Sequence, residues 1–134
     1  MLSDNPTREE LREFFKNDQF ATGAGCYVIE GKKGYAVCGL DLSEKHNNAQ
    51  GYPMGGAIFT LADFCLAVAC NVGQPPTVSI DNNIRYFDRA RGTKLIATCT
   101  ADRLGRHAAF FTVDIKDELG THVATMTATC YRVS

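Results

Sequence analysis

Residues 54–71 form an almost wholly apolar segment that opens with two glycines and carries a single charge. A helix that is apolar on all sides is normally buried inside a protein. Its one charged residue, Asp63, has no basic side chain within a helical turn. An ionised carboxylate inside protein is costly unless it is paired, protonated or used. We therefore interpret Asp63 as a functional residue, with a carboxylate held by backbone amides as the structural alternative.

A membrane span is the other structure that such a segment could form. This segment is rich in Gly, Ala and Cys rather than Leu or Ile, and Asp63 lies in its middle. Its flanks have the pattern of strands and turns in a globular protein, and residues 1–20 are too charged for a secretory signal. We expect a cytoplasmic protein that does not associate with membranes.

The composition is that of an ordinary globular domain. With 134 residues, 45% hydrophobic and 22% charged, the chain is predicted to form a single domain over residues 1–134. A net charge of -1 gives no reason to expect a nucleic-acid partner. The six cysteines lack the C-x-x-C spacing and the three histidines are far apart, so we expect buried thiols and no metal site.

The segments before residue 54 predict one short helix and two strands. Thr7 and Glu10 have the spacing of a capping box, which predicts a helix to about Lys16 with Leu11, Phe14 and Phe15 on one side. Two apolar stretches, 26–30 and 35–42, flank a Gly-Lys-Lys-Gly turn and predict a β-hairpin. Residues 43–54 read as a polar loop that leads into the central helix.

The remaining residues alternate as half-buried strands do. Gly73 and Pro75-Pro76 end the central helix, and strands are predicted around 78–86, 95–101, 109–115 and 121–132. The last strand places Val123 with the threonines on one face and Ala124, Met126 and other small residues on the opposite face. About six antiparallel strands and one long helix predict an α+β domain of the hotdog type, a curved sheet wrapped around a central helix.

The sequence HNNAQGYPMGGAIFTLAD at 46–63 resembles the signature of hotdog acyl-CoA thioesterases, and most closely the phenylacetic-acid-degradation (PaaI-type) branch. Looser similarities follow at 77–80, 86–90 and 103–106. The family pattern usually reads N-x-H-G-x-x-H-G-G, whereas this chain has Gln50 and Met54 at the two histidine positions.

The resemblance implies a role for each residue that the motif retains. Asp63 is implied to be the nucleophile or general base, Gly55 to polarise the thioester carbonyl through its amide, and Asn48 to position water or substrate. Gly56 and Met54 are implied to contact substrate, and coenzyme A enters as part of the substrate with no separate cofactor. Two glycines at the positive end of a helix do permit close approach to backbone N–H groups, although close helix packing alone is the alternative explanation.

The spacing of Gly55 and Asp63 predicts an assembly. Eight residues separate them, so on one helix they lie about 12 Å apart along the axis and cannot both reach one carbonyl. Two such helices running antiparallel about a twofold axis would bring Gly55 of one chain beside Asp63 of the other. We therefore expect a homodimer as the catalytic unit, with a homotetramer of two such dimers as a further arrangement.

The phosphates of coenzyme A require cations. Arg103 and Arg106 are the first candidates, followed by Arg89 and Arg91, and solvated turn charges are the alternative for all four. Two further functions stay open at this point, a hotdog dehydratase or hydratase and a non-catalytic acyl-CoA-binding module. A dehydratase or hydratase would need a histidine base, and Gln50 and Met54 stand where the family has histidines. The retained Asp63 argues against a non-catalytic binding module.

Overall fold

A computed structural model describes residues 2–133 as a six-stranded antiparallel sheet that packs against one long helix. The helices are Arg8–Phe15 (α1), Gln19–Ala24 (α2) and Gly55–Asn71 (α3). The strands are Cys26–Lys32 (β1), Tyr35–Asp41 (β2), Thr77–Tyr86 (β3), Lys94–Leu104 (β4), Ala108–Asp117 (β5) and His122–Arg132 (β6). Their order in the sheet is β1-β2-β4-β5-β6-β3.

This architecture confirms the predicted α+β hotdog fold. The prediction of one domain over residues 1–134 stays a prediction, and the two end residues of that range lie outside the described part of the chain.

The core forms where α3 packs on the sheet. Nine side chains of α3 are buried, and Leu61, Ala62, Cys65, Val68 and Ala69 are inaccessible to solvent. These positions recur every three or four residues, so they form one side of the helix. Within residues 2–133, no helix is both long and apolar enough to span a bilayer. All six cysteines are buried as free thiols, as their apolar surroundings predict.

The predicted β1–β2 hairpin is confirmed, with a tighter turn than expected. The strands extend to Lys32 and restart at Tyr35, which leaves Lys33 and Gly34 as the turn. Gly34 has φ of 76°, a conformation that favours glycine. Strands β3, β4 and β5 run slightly beyond the predicted ranges, and β4 continues to Leu104 in contact with β5. Strand β6 begins one residue later than predicted.

The N-terminal region differs from expectation in two places. The capping box of Thr7 and Glu10 is present, but Phe14 is exposed while Leu11 and Phe15 are buried. Phe14 lies 100° around the helix from Phe15 and packs its ring edge-on against that neighbour instead of entering the core. The second short helix, α2, was not predicted, since six residues are too few for a periodic signal.

Four of the strand pairings within residues 2–133 shift register at a β-bulge, and two of these shifts bear on the predicted side-chain alternation. In β6, the pairing register with β5 shifts between Ile115 and Lys116, so Val123 and Ala124 are both buried. The expectation that Val123 shares the threonine face is therefore wrong. In β3, the register with β6 shifts between Ser79 and Asp81. β3 pairs only with β6 and forms one open edge of the sheet.

The loop between β3 and β4 is held by one buried carboxylate at the end of β5. Asp117 accepts hydrogen bonds from the N–H groups of Arg91 at 2.8 Å and Gly92 at 3.0 Å, and from Leu119 at 3.0 Å and Thr121 at 2.8 Å. Burial by itself raises the pKa of this carboxyl, but the hydrogen bonds outweigh it and hold the pKa well below its ordinary value. Asp117 thus holds the β3–β4 loop and the β5–β6 turn together at the end of the sheet where α3 begins.

We predict that Asp117→Asn lowers the free energy of unfolding by about 1–3 kcal/mol at pH 7, because an amide N–H₂ then faces two backbone donors. A carboxyl whose folded-state pKa is depressed stabilises the protein above its unfolded pKa, and that contribution is lost as pH falls through the folded pKa. The difference between native and variant should therefore shrink from pH 5 downward. Urea unfolding across this range measures it, with Glu30→Gln, an exposed carboxylate, as the control. A pH-independent difference would contradict the role of the charge.

Candidate active site

The loop before α3 closes on itself and so fixes where the helix begins. The His46 carbonyl accepts the Met54 N–H at 2.8 Å, and Asn47 forms an isolated β-bridge with Pro53. Inside the loop, Asn48 Oδ1 accepts the N–H groups of Gln50 at 2.9 Å and Tyr52 at 3.2 Å. The amide oxygen of Asn48 therefore holds the loop together, which leaves its N–H₂ as the group that could contact a ligand.

His46 anchors this loop to the N-terminal helices. Its ring is buried, with Nε2 2.6 Å from the Ala24 carbonyl oxygen and Nδ1 3.0 Å from the Ser43 nitrogen. A carbonyl requires a donor and an N–H requires an acceptor, so the ring is neutral with its proton on Nε2. His46 thus has a structural role, and among residues 2–133 no cluster of three metal-binding side chains is present.

The first two amides of α3 are free to bind a ligand. Met54 caps the helix without a side-chain hydrogen bond, and its carbonyl accepts the N–H groups of Ala57 at 3.0 Å and Ile58 at 3.2 Å. Within residues 2–133, the N–H groups of Gly55 and Gly56 have no partner. Gly56 is exposed, Gly55 is half-buried, and both lie at the positive end of the helix dipole. These amides can therefore stabilise a developing negative charge.

Tyr86, at the end of β3, lies against the start of the helix. Its hydroxyl donates to the Gly55 carbonyl at 3.0 Å. A Cβ at position 55 would lie only 3.2 Å from the Tyr86 ring, whereas one at position 56 would meet nothing closer than Met54 at 3.6 Å. Close packing thus accounts for the glycine at 55, but it does not account for the glycine at 56.

Gly55 lines a cavity that we call the Gly55 pocket. Arg89 closes one side of it, since its guanidinium carbon is 4.2 Å from the centre of the Tyr52 ring. The lining residues are Tyr52, Pro53, Gly55, Ile58, Tyr86, Phe87, Asp88, Arg89, Ala90 and Leu95.

Asp63 lies in a separate depression, the Asp63 pocket, eight residues further along α3. Aromatic side chains form much of its wall, and Asp18 contributes a second carboxylate. The lining residues are Asp18, Gln19, Phe20, Ala21, Phe59, Thr60, Asp63 and Phe64.

The expectation that Asp63 is buried is wrong for the single chain, where its side chain is exposed. The sheet covers one side of α3 and leaves a stripe formed by Gly56, Phe59, Thr60, Asp63 and Ala67 only partly covered. Even so, partial removal of water raises the pKa of Asp63, and the negative charge of Asp18 raises it further. Asp63 is thus a more basic carboxylate than one in free solution.

The structure does not bring the predicted arginines together with the helix start. Arg103 lies eight residues along β4 from Leu95 of the Gly55 pocket, about 25 Å away in an extended strand, and Arg106 follows in the next turn. Both are exposed. Within one chain Arg89, the lower-ranked candidate, is the arginine that borders the Gly55 pocket.

Two contributions escaped the sequence analysis. Asp18 belongs to the unpredicted α2 region, and Tyr86 was predicted only as part of a strand. Each lies far in sequence from the residue that it affects, since 31 positions separate Tyr86 from Gly55. No local pattern marks such contacts, because they depend on how the sheet places the end of β3 over α3.

Comparison with known proteins agrees with this fold. The profile of the thioesterase superfamily matches residues 50–124. Acyl-coenzyme A thioesterase 13 of Homo sapiens is 30% identical over 115 residues, which cover 83% of this chain and 82% of that protein. Acyl-coenzyme A thioesterase PaaI of Escherichia coli K12 is 25% identical over 126 residues, covering 93% of this chain and 90% of that enzyme.

Solved structures show the same architecture. The PaaI protein of the E. coli phenylacetic acid degradation operon superposes with a TM-score of 0.87 at 23% identity, covering 94% of this chain and 92% of that one. The fold is therefore that of the hotdog proteins. The chain belongs to the thioesterase superfamily, which confirms the resemblance predicted from residues 46–63.

We predict opposite effects on stability for alanine at the two glycines. Gly55→Ala should lower the free energy of unfolding by about 1–3 kcal/mol, since its Cβ meets the Tyr86 ring. Gly56→Ala has open space and removes a flexible residue from a helix, so it should leave stability unchanged or raise it by up to about 1 kcal/mol. Thermal and urea unfolding measure both variants. Equal losses would contradict the distinction drawn from their surroundings.

Proposed function

We propose that this protein is an acyl-CoA thioesterase that hydrolyses an acyl or aryl thioester to the free acid and coenzyme A. The observation that carries the proposal is the pair of unpartnered amides at Gly55 and Gly56, which suits the oxyanion of a tetrahedral intermediate. Asp63 acts as nucleophile or as the base that activates water. The amide nitrogen of Asn48 orients the water or the thioester, and Met54 contacts substrate beside the glycines.

The ligand is a coenzyme A ester. Support comes from the names of the two thioesterase relatives, and a hypothetical thioesterase protein of Streptococcus pneumoniae was solved with coenzyme A. That structure has a TM-score of 0.80 at 21% identity and covers 87% of this chain and 94% of its own. In this proposal Arg89 at the Gly55 pocket, or Arg103 and Arg106 farther out, attract the phosphates of the nucleotide. We retain the expected cytoplasmic location as part of the proposal.

The catalytic unit is proposed to be a homodimer, which can pair again as a tetramer. The Gly55 pocket and the Asp63 pocket are separate in one chain, so a single protomer does not place the amides and the carboxylate at one carbonyl. The partly covered stripe of α3 carries the apolar side chains of Phe59 and Ala67 beside Thr60 and Asp63. β3 also presents an open edge with Val78 and Ile80 exposed. A second copy packed antiparallel on these surfaces would unite Gly55 of each chain with Asp63 of the other.

A non-catalytic acyl-CoA-binding module is the second candidate. The observation that favours it is the side chain of Met54, which is 51% exposed beside the free amides and supplies no hydrogen-bond donor to a carbonyl. Such a module would bind thioesters without turnover.

Asp63→Asn should lower kcat for thioester hydrolysis by at least about a hundredfold, because a neutral amide can neither attack nor accept a proton. Thiol release from aryl-, short- and medium-chain acyl-CoA esters measures this and identifies the preferred acyl group. Binding of the same esters should persist in the variant.

The control is Asp102→Asn, an exposed aspartate on β4 outside both pockets. It should hydrolyse the panel as the native chain does. Binding without hydrolysis by the native chain would favour the binding module, and full activity of Asp63→Asn would remove the carboxylate from the mechanism.

If each active site combines the glycines of one chain with Asp63 of the other, two inactive variants should restore activity when they form a heterodimer. Gly56→Val places a branched side chain over the amides at a position where a Cβ meets nothing closer than 3.6 Å, and Asp63→Asn removes the carboxylate. In a heterodimer of the two, one site keeps both its glycines and its aspartate while the other loses both. Purification through two different affinity tags should therefore give about half of the native activity per dimer. Sites confined to one chain would give an inactive heterodimer, and an active monomer in sedimentation would also exclude the shared site.

A further inference from the structure

The two free amides of α3 belong to peptide groups whose carbonyls accept different partners. The Gly55 N–H shares its peptide group with the Met54 carbonyl, which accepts two backbone N–H groups of the helix. The Gly56 N–H shares its peptide group with the Gly55 carbonyl, and that carbonyl accepts the Tyr86 hydroxyl at 3.0 Å. The Gly55 carbonyl also lies within α3, where it can accept the helical N–H four residues on. The first donor is thus supported by the main chain alone, and the second by the main chain and by a side chain from β3.

A hydrogen bond to a peptide carbonyl affects the N–H on the other side of the same group. It withdraws electron density through the conjugated amide, so the N–H becomes a stronger donor, and chains of hydrogen bonds strengthen one another by about 10–30% per bond. It also fixes the peptide plane, and with it the direction of the N–H. Both effects matter most where the N–H meets a developing negative charge.

We propose that Tyr86 is a positioning residue of the oxyanion site, whose hydroxyl orients and polarises the Gly56 N–H through the Gly55 carbonyl. This inference rests on the proposed thioesterase function. The packing supports it, since the ring of Tyr86 would be 3.2 Å from a Cβ at position 55 and so depends on the glycine. Burial raises the pKa of the Tyr86 phenol above its ordinary value, so the hydroxyl stays a donor at neutral pH.

The test is Tyr86→Phe, which keeps the ring and removes only the hydroxyl. The matched control is Tyr131→Phe, because Tyr131 is 47% exposed against 48% for Tyr86 and its hydroxyl has no hydrogen-bond partner among residues 2–133. Steady-state hydrolysis of the best acyl-CoA ester should show kcat lowered about threefold to tenfold in Tyr86→Phe, with KM within twofold of native. Tyr131→Phe should keep both constants.

A spectroscopic measurement separates positioning from packing. Benzoyl-CoA labelled with ¹³C at its carbonyl is bound to Asp63→Asn, with and without Tyr86→Phe, and the carbonyl stretch is recorded in the infrared. We expect a shift to lower frequency on binding, and a smaller shift in the double variant. Equal shifts in the two proteins would overturn the inference.

The kinetic outcomes distinguish this inference from the proposed function. If the native chain hydrolyses thioesters and Tyr86→Phe keeps the native kcat, the role of Tyr86 is overturned while the proposed function stands. A loss confined to KM does the same, since it reflects binding rather than stabilisation of the transition state. If the native chain hydrolyses no ester of the panel, the proposed function fails and the role of Tyr86 fails with it.

Discussion

Burial of one side of α3 against the sheet is the interaction on which the rest of this protein depends. The helix supplies the largest group of inaccessible side chains, and its small residues let it lie close to the strands. Because the sheet covers only one side, the opposite stripe with Gly56, Thr60 and Asp63 remains partly open. The same packing therefore creates the core and presents the candidate catalytic carboxylate.

The electrostatics of the site follow from where each group lies on that helix. Gly55 and Gly56 occupy the positive end, where unsatisfied N–H groups favour an anion. Asp63 lies in the middle of the helix, away from that end, where Phe59, Phe64 and the Asp18 carboxylate disfavour its charged form. One end of the helix thus suits an oxyanion, and its middle suits a base. The two proposed roles require different surroundings, and the two parts of α3 provide them.

The sequence analysis succeeded where local patterns carry the information. The capping box at Thr7, the Gly-rich hairpin turn and the apolar run of α3 each depend on neighbours in sequence. It failed where the burial of a side chain depends on contacts between residues far apart in sequence. Phe14 is turned away from the core by the way α1 meets β1, Val123 is buried by a bulge, and the exposure of Asp63 depends on how much of α3 the sheet covers. The candidate site residues were predicted from their motif and stay a prediction, whereas their surroundings could be described only from the fold.

The bulge between Ser79 and Asp81 determines which residues of β3 face the core side of the sheet. Before it, Thr77 and Ser79 face the core side of the sheet, and after it that side is taken by Asn82, Ile84 and Tyr86. Strict alternation from Thr77 would instead direct position 86 to the outer surface. The extra residue in the strand is Ile80, and its presence thus determines whether the Tyr86 hydroxyl reaches the start of α3. Removing one residue from β3 before Tyr86 would turn that side chain to the other face of the sheet, so the number of residues in this edge strand is a structural requirement of the candidate site.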